Sequence, residues 1–228
     1  MNKLFYAITM LRKRGVGFLW TYFKESIWFD LRYGTRTFAR VPKDEQLIAG
    51  NATEADEGLL YVASFTSVTR KTVSNARDIL GEKRFSQAQF FDLGCGKGKA
   101  LLVFAKLFGK GQMHQAVGIE YDPDLAALAQ RNILKCGFAK DRVRVVTDSA
   151  VNLRSYADAD NLVVYLYNSF QGETLKSVLD VLREVPHVLI YVDPAEKHRL
   201  ADYGYKIHEE SNGRYNADTW LVASSNIA

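Results

Sequence analysis

The stretch "FFDLGCGKGKALLVFAK", Phe90 to Lys106, decides the fold. An apolar run ends at Asp92, three glycines follow at alternate positions (Gly94, Gly96, Gly98), and apolar residues then recur at helical spacing. Strand, glycine turn and helix in that order make the first half of a βα unit that takes a ligand at its turn. A dinucleotide site needs G-x-G-x-x-G, whose third glycine lets the helix pack on the strand, and here that position is Lys99. The phosphate-binding pattern G-x-x-x-x-G-K-[ST] cannot be laid on "GCGKGKA". Asp92, just ahead of the loop, would repel a phosphate and attract an ammonium. The stretch fits a ligand without phosphates that approaches the backbone closely, or else a plain tight turn.

Working outward, strand and helix patterns alternate from Ser64 onward, as a parallel sheet with crossover helices requires. "SVTRKTVSNARDIL" is a helix with Val68, Val73, Ala76, Ile79 and Leu80 on one face, stopped by Gly81. "AQFFDL", "QAVGIE", "RVRVVT", "NLVVYLYN" and "HVLIYVD" are strands, the fourth and fifth of the buried aromatic and β-branched type. Helices intervene at "KALLVFAKLF", closed by Gly109, at "DPDLAALAQRNILKCG", with Asp122 as N-cap and Pro123 in the first turn, and at "GETLKSVLDVLREV". "YKIHEE" and "TWLVASS", joined across "SNGRYNAD", close the chain as an antiparallel pair. The expected fold is α/β: a Rossmann-like, seven-stranded, mostly parallel sheet with helices on both faces and a C-terminal antiparallel hairpin. Residues 64–228 form this domain and residues 1–63 an N-terminal helical or irregular extension, with "FDLRYGTRTFARV" irregular and "PKDEQLIAGNATEADEG" a solvated loop. The strand-ending residues Asp92, Glu120, Asp148, Asn168 and Asp193 then share the carboxyl edge of the sheet, where open α/β folds bind ligands.

Composition excludes several classes. The 228 residues are 47% apolar and 25% charged, which suits a globular domain rather than a disordered chain. The net charge of +4 permits an anionic partner such as RNA, but no aromatic-basic module accompanies it. Cys95 and Cys136 form neither a disulfide framework nor a zinc pattern, and His114, His187, His198 and His208 include no metal-binding i, i+4 pair. No metal is expected, and a reducing, cytoplasmic compartment is the simplest setting. Lys3, Arg12, Lys13, Arg14 and Lys24 interleave with Leu4, Phe5, Ile8, Leu11, Phe18, Leu19, Tyr22 and Phe23. Such a basic amphipathic segment packs on the domain or a partner, or makes a peripheral contact with an anionic membrane. Lys97 and Lys99 are expected to be solvated.

"DLGCGKG" resembles motif I of the class I S-adenosylmethionine-dependent methyltransferases. The resemblance spans roughly 64–223 and implies S-adenosylmethionine as cofactor, lying against Asp92, Gly94, Cys95, Gly96 and Gly98. It implies that Glu120, in "VGIEYDP", accepts the ribose hydroxyls, a task suited to an acceptor-only carboxylate. It implies that Asp148 and Ser149, in "VVTDSA", read adenine, with Tyr121 covering the ribose or adenine face. The family carries its functional tetrapeptide after the fourth strand, often [D/N]-P-P-[Y/F]; here it is Tyr167-Asn168-Ser169-Phe170, with Ser169 and no proline. Asn168, with Tyr167 beside it, is the expected catalytic position. Its amide oxygen can accept from a substrate amine and aim the lone pair, but it cannot act as a base, which favours a nitrogen nucleophile. Phe170, Tyr191 and Asp193 are expected to meet the substrate, Asp193 either attracting a cation or capping the segment after Pro194.

A looser resemblance, carried by "YVASFTSVTRKTVSNARDIL", is to bacterial methyltransferases of unassigned substrate and to the ATP synthase c-subunit lysine methyltransferase group. It makes a protein lysine a conceivable acceptor and Tyr61 or Thr66 contributors to a cofactor lid. The leading expectation is therefore N-methylation of a protein side chain or small amine. An RNA methyltransferase and a non-catalytic cofactor-binding scaffold stand as alternatives.

Overall fold

The computed structural model describes residues 17, 20, 21, 23–38, 63–108, 115–214 and 216–227. A π-helical turn, Phe23–Ile27, runs into helix α1 (Trp28–Tyr33), which ends at Gly34 in the left-handed conformation. There follow α2 (Thr66–Leu80), α3 (Glu82–Gln87), β1 (Gln89–Leu93), α4 (Lys99–Phe108), β2 (Ala116–Glu120), α5 (Pro123–Lys135) and β3 (Val143–Thr147). The chain continues through a 3-10 helix, Ala150–Tyr156, then β4 (Leu162–Tyr167), α6 (Gly172–Leu182), β5 (His187–Val192), α7 (Arg199–Asp202), β6 (Lys206–Ser211) and β7 (Trp220–Ser225).

The strands form one seven-stranded sheet in the order β3-β2-β1-β4-β5-β7-β6. Strands β1 to β5 pair in parallel, and β7 pairs antiparallel to both β5 and β6. The expected architecture is the one observed, and the carboxyl ends of the five parallel strands share one edge. The order reverses between β1 and β4, so that edge opens there into the crevice where such sheets take ligands.

Strand periodicity sorts the core into two layers. Phe90, Val163, Tyr165, Val188, Ile190 and Val222 pack with α2, α4 and α5, whereas Phe91, Leu93, Val164, Leu166, Leu189, Tyr191 and Leu221 pack with α6 on the other face. This two-sided burial explains why these strands read as continuous apolar runs. Helix α4 is buried from Lys99 through Ala105, since α2 covers the side turned away from the sheet.

Asp122 caps α5 as expected, its carboxylate accepting from the amides of Asp124 and Leu125. One reading changes. Residues 28–33, expected to be irregular, are helical. The β6–β7 connection also carries a 3-10 turn, Asn216–Asp218, and Gly213 is needed because a Cβ there would lie 2.2 Å from Asp218 Oδ1. Part of the N-terminal reading, from Lys3 to Arg14, lies outside the described residues, as do Tyr61, Gly109 and the expected loop at 42–58. The described part packs on the domain through Glu25, Phe29 and Asp30, with Trp20, Phe23, Trp28 and Leu31 facing solvent. No helix among the described residues is long and apolar enough to cross a membrane.

Candidate cofactor and acceptor site

The glycine loop is built from backbone bonds to the neighbouring strand. The amides of Gly94 and Cys95 both donate to the Ile119 carbonyl, at 2.8 and 3.1 Å, which turns the chain across the end of β2. Gly94, Gly96 and Gly98 all have left-handed backbone, with φ of 69°, 53° and 77°, a conformation that costs an L side chain about 1–2 kcal/mol. Two of the three are also closed to a side chain by the protein itself. A Cβ on Gly94 would lie 2.4 Å from the Ser169 Cβ, and one on Gly98 would lie 3.2 Å from the Ala129 Cβ. Gly94 and Gly98 thus let the loop approach the β4 end and α5, which sets its shape before any ligand is considered.

Glu120 closes the loop from behind. The Gly96 amide donates to its Oε2 at 2.6 Å and the Asp122 amide to its Oε1 at 3.0 Å. Burial pushes its carboxyl up to about 7 against these amide bonds. Asp92, one strand over, is also buried and is pushed up to about 8, first by desolvation and then by the Glu120 charge. The Cys95 thiol is buried against Gly118 and raised by desolvation and by both carboxylates, so it stays protonated and contributes volume rather than nucleophilicity. Burial holds these two acids towards their protonated form, and a cation entering above them favours their ionisation.

The pair makes a testable statement. Between its ordinary value of 3.8 and about 8, folded Asp92 holds a proton that the unfolded chain has lost, so stability falls as pH rises through that window. Asp92→Asn cannot ionise. It should melt above the wild-type protein near pH 8, with the difference fading towards pH 4, and should bind an ammonium-bearing cofactor more weakly. A melting difference that does not depend on pH would refute the buried-acid account.

Asp148 follows β3 directly, and its amide donates to the Glu120 carbonyl at 3.1 Å, so the two acids stand side by side on the edge. Burial alone would raise its carboxyl, but bonds from the Tyr156 hydroxyl (2.6 Å), the Asn152 amide (2.8 Å) and the Ser149 amide (2.7 Å) outweigh that and hold it below the usual range. Ser149 Oγ accepts from the Val151 amide and caps the 3-10 helix. Tyr121 is half-buried beside Glu120.

On the other side of the crevice, Asn168 and Asp193 end β4 and β5 in left-handed backbone, with φ of 37° and 49°. Asparagine and aspartate tolerate that region better than other side chains. The Asn168 amide donates to Asp193 Oδ2 at 3.1 Å, and its Oδ1 accepts from Gln171 at 3.3 Å. Asn216, from the β6–β7 connection, donates to both Asp193 oxygens at 3.2 Å. Asp193 thus orients Asn168, and the residues after it form a turn rather than a capped helix. Ser169 is the residue whose role the sequence reading missed. Its hydroxyl donates to the Leu93 carbonyl at 3.0 Å, tying the acceptor rim to the cofactor loop. The absent proline was the only signal. Tyr167 is half-buried behind Asn168, whereas Phe170 and Tyr191 are buried in the α6-side core, away from the rim formed by Asn168 and Asp193.

Lys97 and Lys99 are not solvated. They are 3% and 2% exposed, beneath the N-terminal segment, where the Lys99 ammonium donates to the Glu25 carbonyl and lies over the Phe29 ring.

Comparisons with known proteins bear on the fold. Residues 90–190 match a family model described as a methyltransferase domain. Among solved structures, a precorrin-6y C5,15-methyltransferase from Geobacter metallireducens superposes with a TM-score of 0.52 at 18% identity, over 75% of this chain and 94% of that one. A putative rRNA methylase from Clostridium thermocellum gives 0.51 at 17%, over 69% and 96%. A mutant of MtNAS in complex with S-adenosylmethionine gives 0.50 at 15%, over 69% and 61%. No curated protein matches the chain by sequence. The chain has the fold of the class I S-adenosylmethionine-dependent methyltransferases, and the methyltransferase-domain model matches residues 90–190 of it.

The residues present fit that cofactor: buried acids for a cation, the acceptor-only Glu120 and Asp148 on adjacent strand ends for hydroxyls and an amine, and no phosphate cradle.

Proposed function

We propose that this protein transfers the methyl group of S-adenosylmethionine to a nitrogen acceptor held at the Asn168–Asp193 rim. The observation that carries the reading is the Ser169 bond to Leu93, which makes the oriented amide of Asn168 the immediate neighbour of the glycine loop. The bound cofactor supplies an electrophilic methyl on a sulfonium. The chain supplies position: Glu120 and Asp148 for the ribose and adenine, Asp92 for the charge of the methionine amine, and the Asn168 oxygen to accept from the acceptor N–H. The acceptor attacks as the neutral amine, its lone pair aimed by the Asn168 oxygen, and the proton it carries after transfer leaves to water; alignment and the exclusion of bulk water are what the site contributes.

For the acceptor class, the comparisons support RNA: the Clostridium protein is named as a putative rRNA methylase, and none of the neighbours described above is named as a protein methyltransferase. A lysine-like side chain or small amine is supported by the chain itself. Residues 1–24 hold five of the 30 bases and no acid, whereas residues 64–228 hold 21 bases against 19 acids. The domain, residues 64–228, is near neutral at +2, and the Asp193 carboxylate at its acceptor rim favours an amine over a phosphate backbone.

The test is transfer of labelled methyl from S-adenosylmethionine into a cell lysate, followed by nuclease or protease treatment. Label lost to ribonuclease supports the RNA reading, and label lost to protease supports the side chain. Label of low mass supports the small amine. Asn168→Ala should abolish labelling while the variant still binds cofactor. Absence of label with wild-type protein would leave only the scaffold reading.

A further inference from the structure

The N-terminal segment and the glycine loop are joined at two places, both outside the cofactor residues already described. At the first, Asn132 on α5, 1% exposed, spans the gap between them. Its Nδ2 donates to the Lys97 carbonyl at 3.0 Å and its Oδ1 accepts from the Arg36 amide at 3.1 Å. At the second, the Lys99 ammonium donates to the Glu25 carbonyl.

The segment that receives these bonds is itself closed. Asp30, buried, accepts from the hydroxyls of Thr35 and Thr37 at 2.6 and 2.7 Å and from the amides of Thr37 and Phe38 at 2.7 and 3.0 Å, folding 34–38 back onto α1. The Glu25 carboxylate accepts from the Ser67 amide in the first turn of α2 at 2.9 Å, where the helix dipole favours it, and Lys135 donates to the Gly34 carbonyl at 3.3 Å. Phe29 adds apolar burial under Lys99.

Lys97 and Lys99 alternate with Gly96 and Gly98, and the Gly96 amide is the donor that holds Glu120. A displacement of the segment would remove the Glu25 acceptor from a buried ammonium and the Arg36 donor from a buried amide. Both losses are costly where water does not replace them.

We propose that residues 23–38 act as a strap whose docking sets the conformation of the cofactor loop, with Asn132 and Lys99 as its positioning residues, so that strap docking and cofactor binding favour each other. The inference rests on the reading of the loop as the S-adenosylmethionine site. Coupling of this kind is reciprocal, which gives it a signature that packing alone lacks.

The experiment is amide hydrogen exchange on the full chain with and without S-adenosylmethionine, beside calorimetric affinity. In the wild-type protein the cofactor should slow exchange at Arg36 and Thr37 as well as at Gly94 to Gly98. Asn132→Asp keeps the acceptor for Arg36 and loses the donor to Lys97, so its strap should stay protected without cofactor while the added protection disappears. Lys99→Met, which keeps the apolar stem, should weaken cofactor binding by about tenfold and shorten protection of the strap, and it tests the coupling should Asn132 variants fail to fold. Slowing confined to 94–98, or wild-type affinity in both folded variants, overturns the strap. No slowing at either place overturns the cofactor reading, and the strap with it.

Discussion

Glu120→Ala should raise the dissociation constant for S-adenosylmethionine by about 10²–10⁴-fold. The carboxylate stands at the end of β2 with its two oxygens anchored by the amides of Gly96 and Asp122. Each oxygen has a second lone pair to offer, and hydrogen bonds to a charged acceptor contribute about 1.5–3 kcal/mol each. Loss of two such bonds to the ribose, at about 1.4 kcal/mol per tenfold, gives the stated range. The variant also leaves the Gly96 amide without its acceptor, so the loop loses the bond that shapes it. Calorimetric titration reads the effect directly. Unchanged affinity would remove S-adenosylmethionine from this loop and with it the proposed activity.

Gly94→Ala should destabilise the fold by about 2–5 kcal/mol, combining roughly 1–2 for a left-handed alanine with 1–3 for overpacking. The collision is specific, because the added methyl would lie 2.4 Å from the Ser169 Cβ and 2.5 Å from its Oγ. For a chain of this length the expected fall in Tm is about 5–15 °C. Ser169→Gly removes the steric part together with the bond to Leu93, so the comparison is made within that background, where Gly94→Ala should cost about half of what it costs in the wild-type protein. Thermal melts of the two single variants and the double variant measure it. An equal cost of Gly94→Ala with and without Ser169→Gly would show that Ser169 is not what the glycine makes room for.

Most of the fold was legible in the sequence because its signals are local. The alternation of Phe90 with Phe91 across the sheet, the cap at Asp122 and the closure of a helix at Gly81 act within a turn or a strand of their own residues. The acids at strand ends were legible too, since a parallel sheet with crossovers brings Asp92, Glu120 and Asp148 to one edge whatever the loops do. Helix α1 was not, because it is short and depends on contacts outside itself: Asp30 is satisfied by the 35–38 tail, and Glu25, in the turn before it, by Ser67, 42 residues on. The same holds for Lys97 and Lys99. Lysines in a glycine loop read as solvated until a distant segment covers them.

By itself, the sequence determined the order of the strands and helices, the loop's preference for a ligand without phosphates, and the acids that face it, because backbone periodicity and charge are properties of neighbouring residues. Only the tertiary structure decided which side chains each of those features serves. It moved Phe170 and Tyr191 from the rim into the core, gave Gly94 to Ser169 rather than to a ligand, and joined Asn168 to Asp193. Those contacts join residues 25 to 76 positions apart, or set a side chain's face by the sheet as a whole, and such pairings are fixed by packing that no local pattern records.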